Sequence, residues 1–403
     1  MQNAVAIVAE YNPFHNGHKF HIEAAKKETG ADFVFVVMSS SFIQRGDCAV
    51  YDKWVRTKAA LLGGADIVIE LPVIYSTSSA ENFARGAIRI IESTGIADKI
   101  AFGVETDNLD LLKATASILS SPPAEFTDTL KKALDKGLSF PSARAEAISL
   151  INNNYADILN SPNNILAVEY LKALELFNSG VQPCLIHRTS SEYNSEEISG
   201  DISSATAIRK ALKENRIELV KHTVPSECFD LYSHASPLFA DDFSDALGYV
   251  LRTMSSEEIS NISGISEGLE NRILKTVGEY YEISDICSAL KTKRYTYTRI
   301  MRTLFHILLG ITKEHEVMFS SEKFEPYIRV LGFRKSAEPL IKELSHKASA
   351  PIIMNINKDE RKLSEKQRIL LDLEKKATDL YFFPHNGKRS LDYTMPIIIE
   401  KDK

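Results

Sequence analysis

No two cysteines in this chain lie close enough to form a CxxC element. Cys48, Cys184, Cys228 and Cys287 are far apart, and no histidines gather with them at metal-ligand spacing. A disulfide framework and a structural zinc site are therefore not expected, and a reducing compartment fits. Long hydrophobic runs are missing as well. Phe33–Met38 is among the longest, far short of the roughly 20 apolar residues that a membrane-spanning helix needs. No basic segment precedes Ala4–Ala9 and no small-residue cleavage site follows it, so it reads as a first strand and not as a signal peptide. A cytoplasmic protein without a membrane partner is expected. An excess of positive charge is also lacking. The net charge of −6 excludes a uniformly basic coat, so any nucleic-acid contact must come from a local patch. What is present is the balance of a globular protein, 44% hydrophobic and 25% charged over 403 residues, enough for two domains.

Along the first half, short apolar runs alternate with helical spacing. Ala4–Ala9, Asp32–Met38, Asp66–Leu71, Lys99–Gly103 and Gln182–His187 read as strands. His18–Thr29, Lys53–Gly63 and Ala80–Thr94 read as helices. This alternation predicts an α/β fold, a Rossmann-like parallel sheet with helices on both faces. After Ala205 the helical pattern dominates, in Ala207–Leu212, Ala246–Met254, Ile265–Val277, Tyr297–Leu309, Ala337–Ser345 and Glu365–Asp379. Ala350–Asn355 and Thr394–Ile399 are the exceptions. The expected division is a Rossmann-like domain over 1–215 and a mainly α-helical C-terminal domain over 216–403.

His15-Asn16-Gly17-His18 falls where the first strand hands over to a helix. In a Rossmann-type unit that is where ligands bind, beyond the carboxyl ends of the strands. The amides of a helix N-terminus face an anion. Gly17 lets a ligand approach the backbone, and two imidazoles can donate to phosphate oxygens as charge builds there. A second motif runs through Asp201-Ile202-Ser203-Ser204-Ala205-Thr206-Ala207-Ile208-Arg209-Lys210. Ser203 and Ser204 suit a helix cap, and Arg209 one turn later can neutralise a leaving pyrophosphate.

The first motif resembles the HxGH signature of the nucleotidyltransferase superfamily, and the second resembles its ISSTxIR motif, in the expected order. The resemblance implies ATP as substrate, with Mg²⁺ accompanying it, and His15, His18 and Arg209 as catalytic groups. Ser203 and Ser204 join the ATP contacts. The lysine-rich loop of the aminoacyl-tRNA synthetases is absent, so a standard synthetase is not expected.

Longer segments carry a narrower resemblance. Val8–His18, Ser41-Phe42-Ile43-Gln44-Arg45-Gly46-Asp47, Ser161–Tyr170 and Leu290–Arg299 together resemble the bacterial tRNA(Met) cytidine acetate ligase family over nearly the whole chain. That implies formation of acetyl-adenylate from acetate and ATP, then transfer of acetyl to N4 of the wobble cytidine in elongator tRNA(Met). The ATP contacts it implies are Ile7, Val8, Ala9, Glu10, Tyr11, Asn12, Pro13, Phe14, His15, Asn16, Gly17, His18, Lys19 and Phe20, then Gly103, Asn163 and Arg188. Asn163 also suits a helix N-cap after Ser161-Pro162. The Ser39–Asp47 stretch has polar groups to hold acetate, close over an adenylate or receive a cytidine ring. Arg45 and Lys53 are cations able to pair with a carboxylate. Lys291, Lys293, Arg294, Arg299 and Arg302, interleaved with Tyr295 and Tyr297, form the candidate tRNA surface, since basic charge tracks phosphates and aromatics stack on splayed bases. Arg334-Lys335 and Lys388-Arg389 are weaker candidates. Two other readings remain: a small-molecule adenylyltransferase, and a non-catalytic RNA-binding protein.

Overall fold

The computed structural model describes residues 3–187, 198, 203–266, 268–385 and 387–402. Five parallel strands form its centre: β1 (Ala4–Ala9), β2 (Phe33–Ser39), β3 (Ile67–Leu71), β4 (Ala97–Val104) and β5 (Gln182–His187). They lie in the order β3-β2-β1-β4-β5. The chain thus builds outward from β1 in one direction, then crosses over and builds outward in the other. The crossover leaves a crevice between the carboxyl ends of β1 and β4, the switch point of a doubly wound sheet.

Parallel strands are covered on both faces, and alternate side chains of each strand feed separate cores. On one face Val5, Ile7, Val34, Val36 and Val68 pack with Ile22 and Ala25 of α1 (Asn16–Thr29) and with Ala59, Ala60 and Leu61 of α2 (Lys53–Leu62). On the other, Ala4, Ala6, Phe35, Val37, Ile67 and Ile69 meet Ile88 and Ile91 of α3 (Ala80–Thr94) and Val168 and Leu171 of α4 (Pro162–Leu176). The smaller helices α5 (Ala205–Lys213) and α6 (Ser226–Ser233) complete the first face. α7 (Tyr297–Leu309) and α8 (Glu365–Tyr381) extend the second.

The Rossmann-like sheet and the largely helical second half thus match the expected fold class. The part after residue 216 also gives strands to the same sheet. β6 (Ile328–Arg334) runs antiparallel beside β3, while β7 (Ile352–Ile353) and β8 (Ile398–Glu400) lie parallel to β6. β6 is missed by sequence patterning because Arg329 and Gly332 interrupt its apolar run. Its arginine is nonetheless buried. Lys53 Nζ lies 2.7 Å from Glu70, 2.8 Å from Asp392 and 3.3 Å from Glu374, and Arg329 lies 3.0 Å from Glu70 and 2.7 Å from Asp392. This cluster joins α2, β3, β6 and α8 in the interior. It also removes Lys53 from any role with a bound carboxylate substrate, because the side chain is wholly inside the protein. Among the described residues no helix is long and apolar enough to cross a membrane.

Candidate active site

The loop leaving β1 turns sharply. Tyr11 holds a positive φ of 48°, a left-handed conformation uncommon for a large side chain. His15 then stops the loop and caps α1, its backbone extended at φ −144° and ψ 175°. The His15 Nδ1 accepts from the Gly17 N–H at 3.1 Å, and the His18 Nδ1 accepts from the His15 N–H at 3.3 Å. The two rings stack at 3.8 Å, with Tyr11 edge-on to His18 at 4.8 Å. Because both Nδ1 atoms accept, the neutral rings carry their proton on Nε2, which makes that atom a donor. The pair is a reciprocal capping box built from imidazoles, so α1 starts at Asn16, two residues before the start that periodicity alone predicts.

Asn12, Phe14 and Asn16 are fixed in turn. The Asn12 Oδ1 accepts from the Val50 N–H at 2.7 Å. Asn16 donates through its backbone to the Thr223 carbonyl and through its side chain to that of His222, both at 2.9 Å. Phe14 is buried, and its carbonyl accepts from Tyr232 at 3.0 Å. Ile7 and Phe14 side chains belong to the core, so contact with a nucleotide at those positions falls to the backbone, whereas Phe20 is exposed. A Cβ on Gly63 would lie 2.1 Å from the Phe14 ring. Gly63→Ala is therefore expected to cost about 1–3 kcal/mol by overpacking. Thermal unfolding measures that loss, and a parallel fall in ATP affinity would show that Phe14 supports the loop.

The second motif reaches the same crevice. Ser204 caps α5, its Oγ accepting from the Ala207 N–H at 3.0 Å, as its residue type predicts. Arg209 donates to the Asn12 carbonyl at 2.8 Å and to the Thr206 hydroxyl at 3.2 Å. Burial and then neighbouring Arg45 lower its pKa, against Glu10 and Asp47. The Ser203 Oγ, the Asn12 Nδ2 and the Tyr11 hydroxyl are buried without a hydrogen-bond partner among the described residues. Donors of this kind beside two helix N-termini suit phosphate oxygens.

Gly103 lies near the end of β4, paired with Ile186, two residues past the last β1–β4 pair at Ile7 and Ala101. Asn163 is the second residue of α4, whose N-cap position is held by Ser161, so the N-cap reading is wrong. Its amide donates to Glu105 at 2.6 Å, and Asn164 exchanges two further bonds with Glu105. Gly103 and Asn163 therefore both lie at the carboxyl end of β4. Arg188, Asp201 and Ile202 lie outside the described residues.

One important residue is not singled out by sequence reasoning. Arg56 is wholly buried, and it donates to the carbonyls of Tyr51 at 2.9 Å, Glu10 at 2.7 Å and Ser39 at 2.9 Å, and to that of Ser40. It thereby ties the end of β1 to the end of β2. The available signal was an arginine at the spacing of the core-facing positions of α2, beside Ala59 and Ala60. Among the described residues no group of three or more His, Cys, Asp or Glu side chains could hold a metal ion.

The basic cluster separates in space. Lys291 and Lys293 are exposed, and Tyr297 is partly so. Tyr295 is buried and donates to the Ser266 carbonyl at 2.9 Å, so it is not a stacking platform for a base. Arg299 lies over the Tyr295 ring at 4.7 Å. Arg302 turns inward and donates to the Gln44 carbonyl at 3.1 Å.

Comparison with known proteins agrees with this geometry. A family model described as HIGH Nucleotidyl Transferase matches residues 1–393. A tRNA(Met) cytidine acetate ligase of Acetivibrio thermocellus is 40% identical, with 98% of this chain and 99% of that protein covered. One from Caldanaerobacter subterraneus subsp. tengcongensis is 39% identical over the same shares. The crystal structure of Thermotoga maritima TmcAL bound with alpha-thio ATP superposes with a TM-score of 0.91 at 31% identity, covering 99% of this chain and all of that one. The chain belongs to the HIGH nucleotidyl transferase family and, within it, to the tRNA(Met) cytidine acetate ligases.

Proposed function

We propose that this enzyme activates acetate with ATP and transfers the acetyl group to N4 of the wobble cytidine of elongator tRNA(Met). In the first step an acetate oxygen attacks the α-phosphorus and the bond to pyrophosphate breaks. In the second the cytidine amine attacks the acetyl carbonyl, AMP leaves, and the amine loses a proton to give N4-acetylcytidine. The bond from Arg209 to the Asn12 carbonyl carries this reading, because it brings the second motif against the first at the switch point. His15, His18 and the amides of α1 then serve the α-phosphate, while Ser203, Ser204 and Arg209 serve the departing phosphates. Mg²⁺ is assigned to the ATP phosphates. Gly103, Asn163 and Arg188 complete the nucleotide site, and Lys291, Lys293 and Arg294 meet tRNA phosphates. In this division residues 1–215 carry the adenylation and 216–403 the tRNA contacts, in the cytoplasm.

Incubation of unmodified elongator tRNA(Met) with the enzyme, ATP, Mg²⁺ and labelled acetate tests the whole reading. Label recovered as N4-acetylcytidine, and dependent on ATP, is the expected result. Acetate-dependent ATP–pyrophosphate exchange without labelled nucleoside would move the acceptor elsewhere. Loss of both would favour a small-molecule adenylyltransferase or a non-catalytic RNA-binding protein.

A further inference from the structure

Sequence spacing places Arg302 with the phosphate-binding cations, but the fold uses it differently. It sits about one and a half turns into α7, which the exposed Lys291 and Lys293 precede in the chain. Its guanidinium donates to the Gln44 carbonyl at 3.1 Å, and the Gln44 N–H donates to the Glu10 carboxylate at 3.0 Å. The Glu10 carbonyl in turn accepts from Arg56 at 2.7 Å. An unbroken line of hydrogen bonds therefore runs from α7 to the residue immediately before Tyr11.

A second contact fixes the same junction. Gly46 closes a tight hairpin, in which Phe42–Ile43 pairs antiparallel with Asp47–Cys48, and it has a φ of +78°. A Cβ there would lie 2.4 Å from the Arg302 backbone nitrogen and 2.9 Å from its Cα. Backbone rests on backbone, which leaves the hairpin little room to shift unless α7 shifts with it. Arg45, at the hairpin tip, is close enough to Arg209 to perturb it electrostatically.

We infer that Arg302 is a positioning residue for the adenylation site: through Gln44 it sets the place of Glu10 and of the hairpin, and it carries the position of the RNA-facing segment before α7 to that site. The inference rests on the acetyl-adenylate reading above. Burial, and then Arg299, pull the Arg302 pKa down to about 10, which leaves it charged at neutral pH and its bond to Gln44 charge-assisted.

The test is ATP–pyrophosphate exchange with acetate in the absence of any RNA, alongside ATP affinity by equilibrium dialysis and tRNA affinity by filter binding. Arg302→Ala is expected to lower RNA-free exchange by about 10–100-fold, the usual effect of a small misplacement in a preorganised site, and to weaken ATP binding. Its tRNA affinity is expected to stay within about threefold, because the guanidinium is engaged with the Gln44 carbonyl and not offered to a phosphate. Adding Glu10→Ala to Arg302→Ala is expected to cause no more loss than Glu10→Ala alone, since the two act along one line. Arg302→Gln, which keeps a donor and removes the charge, is expected to recover most of the exchange. Unchanged RNA-free exchange in Arg302→Ala, or losses that multiply in the double variant, would overturn the inference. A wild-type enzyme lacking acetate-dependent exchange would instead sink the acetyl-adenylate reading, and ATP affinity would then decide the role of Arg302 by itself.

Discussion

Arg209→Ala is expected to lower acetate-dependent ATP–pyrophosphate exchange by about 10²–10³-fold, the range found when one preorganised donor to developing charge is removed. Two separate effects add in this variant. The charge that would meet the leaving pyrophosphate disappears, and so does the 2.8 Å bond that holds the Asn12 carbonyl. Asn12 lies three residues before His15, so the imidazole pair loses an anchor on its N-terminal side. The loop stays attached by Asn12 to Val50, by Asn16 to Thr223 and by Phe14 to Tyr232, and for that reason the fold should survive. Binding of tRNA is expected to stay close to wild type, because the Arg209 guanidinium is held at the crevice by Asn12 and Thr206, away from the 291–302 segment in sequence and in its bonds. Exchange kinetics and filter binding on the same preparation check both halves. An equal loss of exchange and tRNA affinity would show that Arg209 serves the RNA surface instead. Arg209→Lys separates the two effects. It keeps the charge, but a point-like ammonium cannot reproduce the planar fork that reaches both Asn12 and Thr206.

Much of this site was legible because its signals are local. His15, Gly17 and His18 announce a helix start through neighbours three residues apart, and Ser204 caps α5 as its residue type predicts. The parallel strands were legible because both of their faces are buried, which leaves continuous apolar runs such as Phe33–Met38. What escaped depends on partners distant in sequence. Lys53 reads as a cation able to pair with a bound carboxylate, yet its partners Glu374 and Asp392 come from the far end of the chain. β6 escapes because the charge of Arg329, which interrupts its pattern, is neutralised by Glu70 and Asp392. Arg302 and Tyr295 share a run of cations and aromatics, and spacing alone cannot show that both turn inward.

Lys53→Met is expected to have the largest effect on stability, about 3–5 kcal/mol, because it leaves buried carboxylates without their central cation. The cluster holds Glu70, Glu374 and Asp392 against Lys53 and Arg329, three acids for two bases, all in the interior. Burial and Arg329 disfavour the charged ammonium, but Asp392, Glu70 and Glu374 together hold the Lys53 pKa above its ordinary value. Balance then requires one carboxyl to keep its proton. Burial, and then Glu70, push Glu374 up to about 8, which makes it the site of that proton. The folded state therefore binds more proton than the unfolded chain between the ordinary carboxylate range and about pH 8. The contribution of Glu374 is complete below that range and is lost as pH rises through about 8. Urea unfolding at pH 6 and pH 9 should show the wild type losing stability at the higher pH, and Glu374→Gln, which cannot titrate, should flatten that slope. An identical slope in the variant would place the proton elsewhere in the cluster. The same bonds bear on the division at residue 215: a fragment ending there retains Lys53 and Glu70 but loses Arg329, Glu374 and Asp392, together with β6, which covers the edge of β3. Expressed alone, it is expected to be unfolded or aggregated, and circular dichroism with gel filtration would decide the matter.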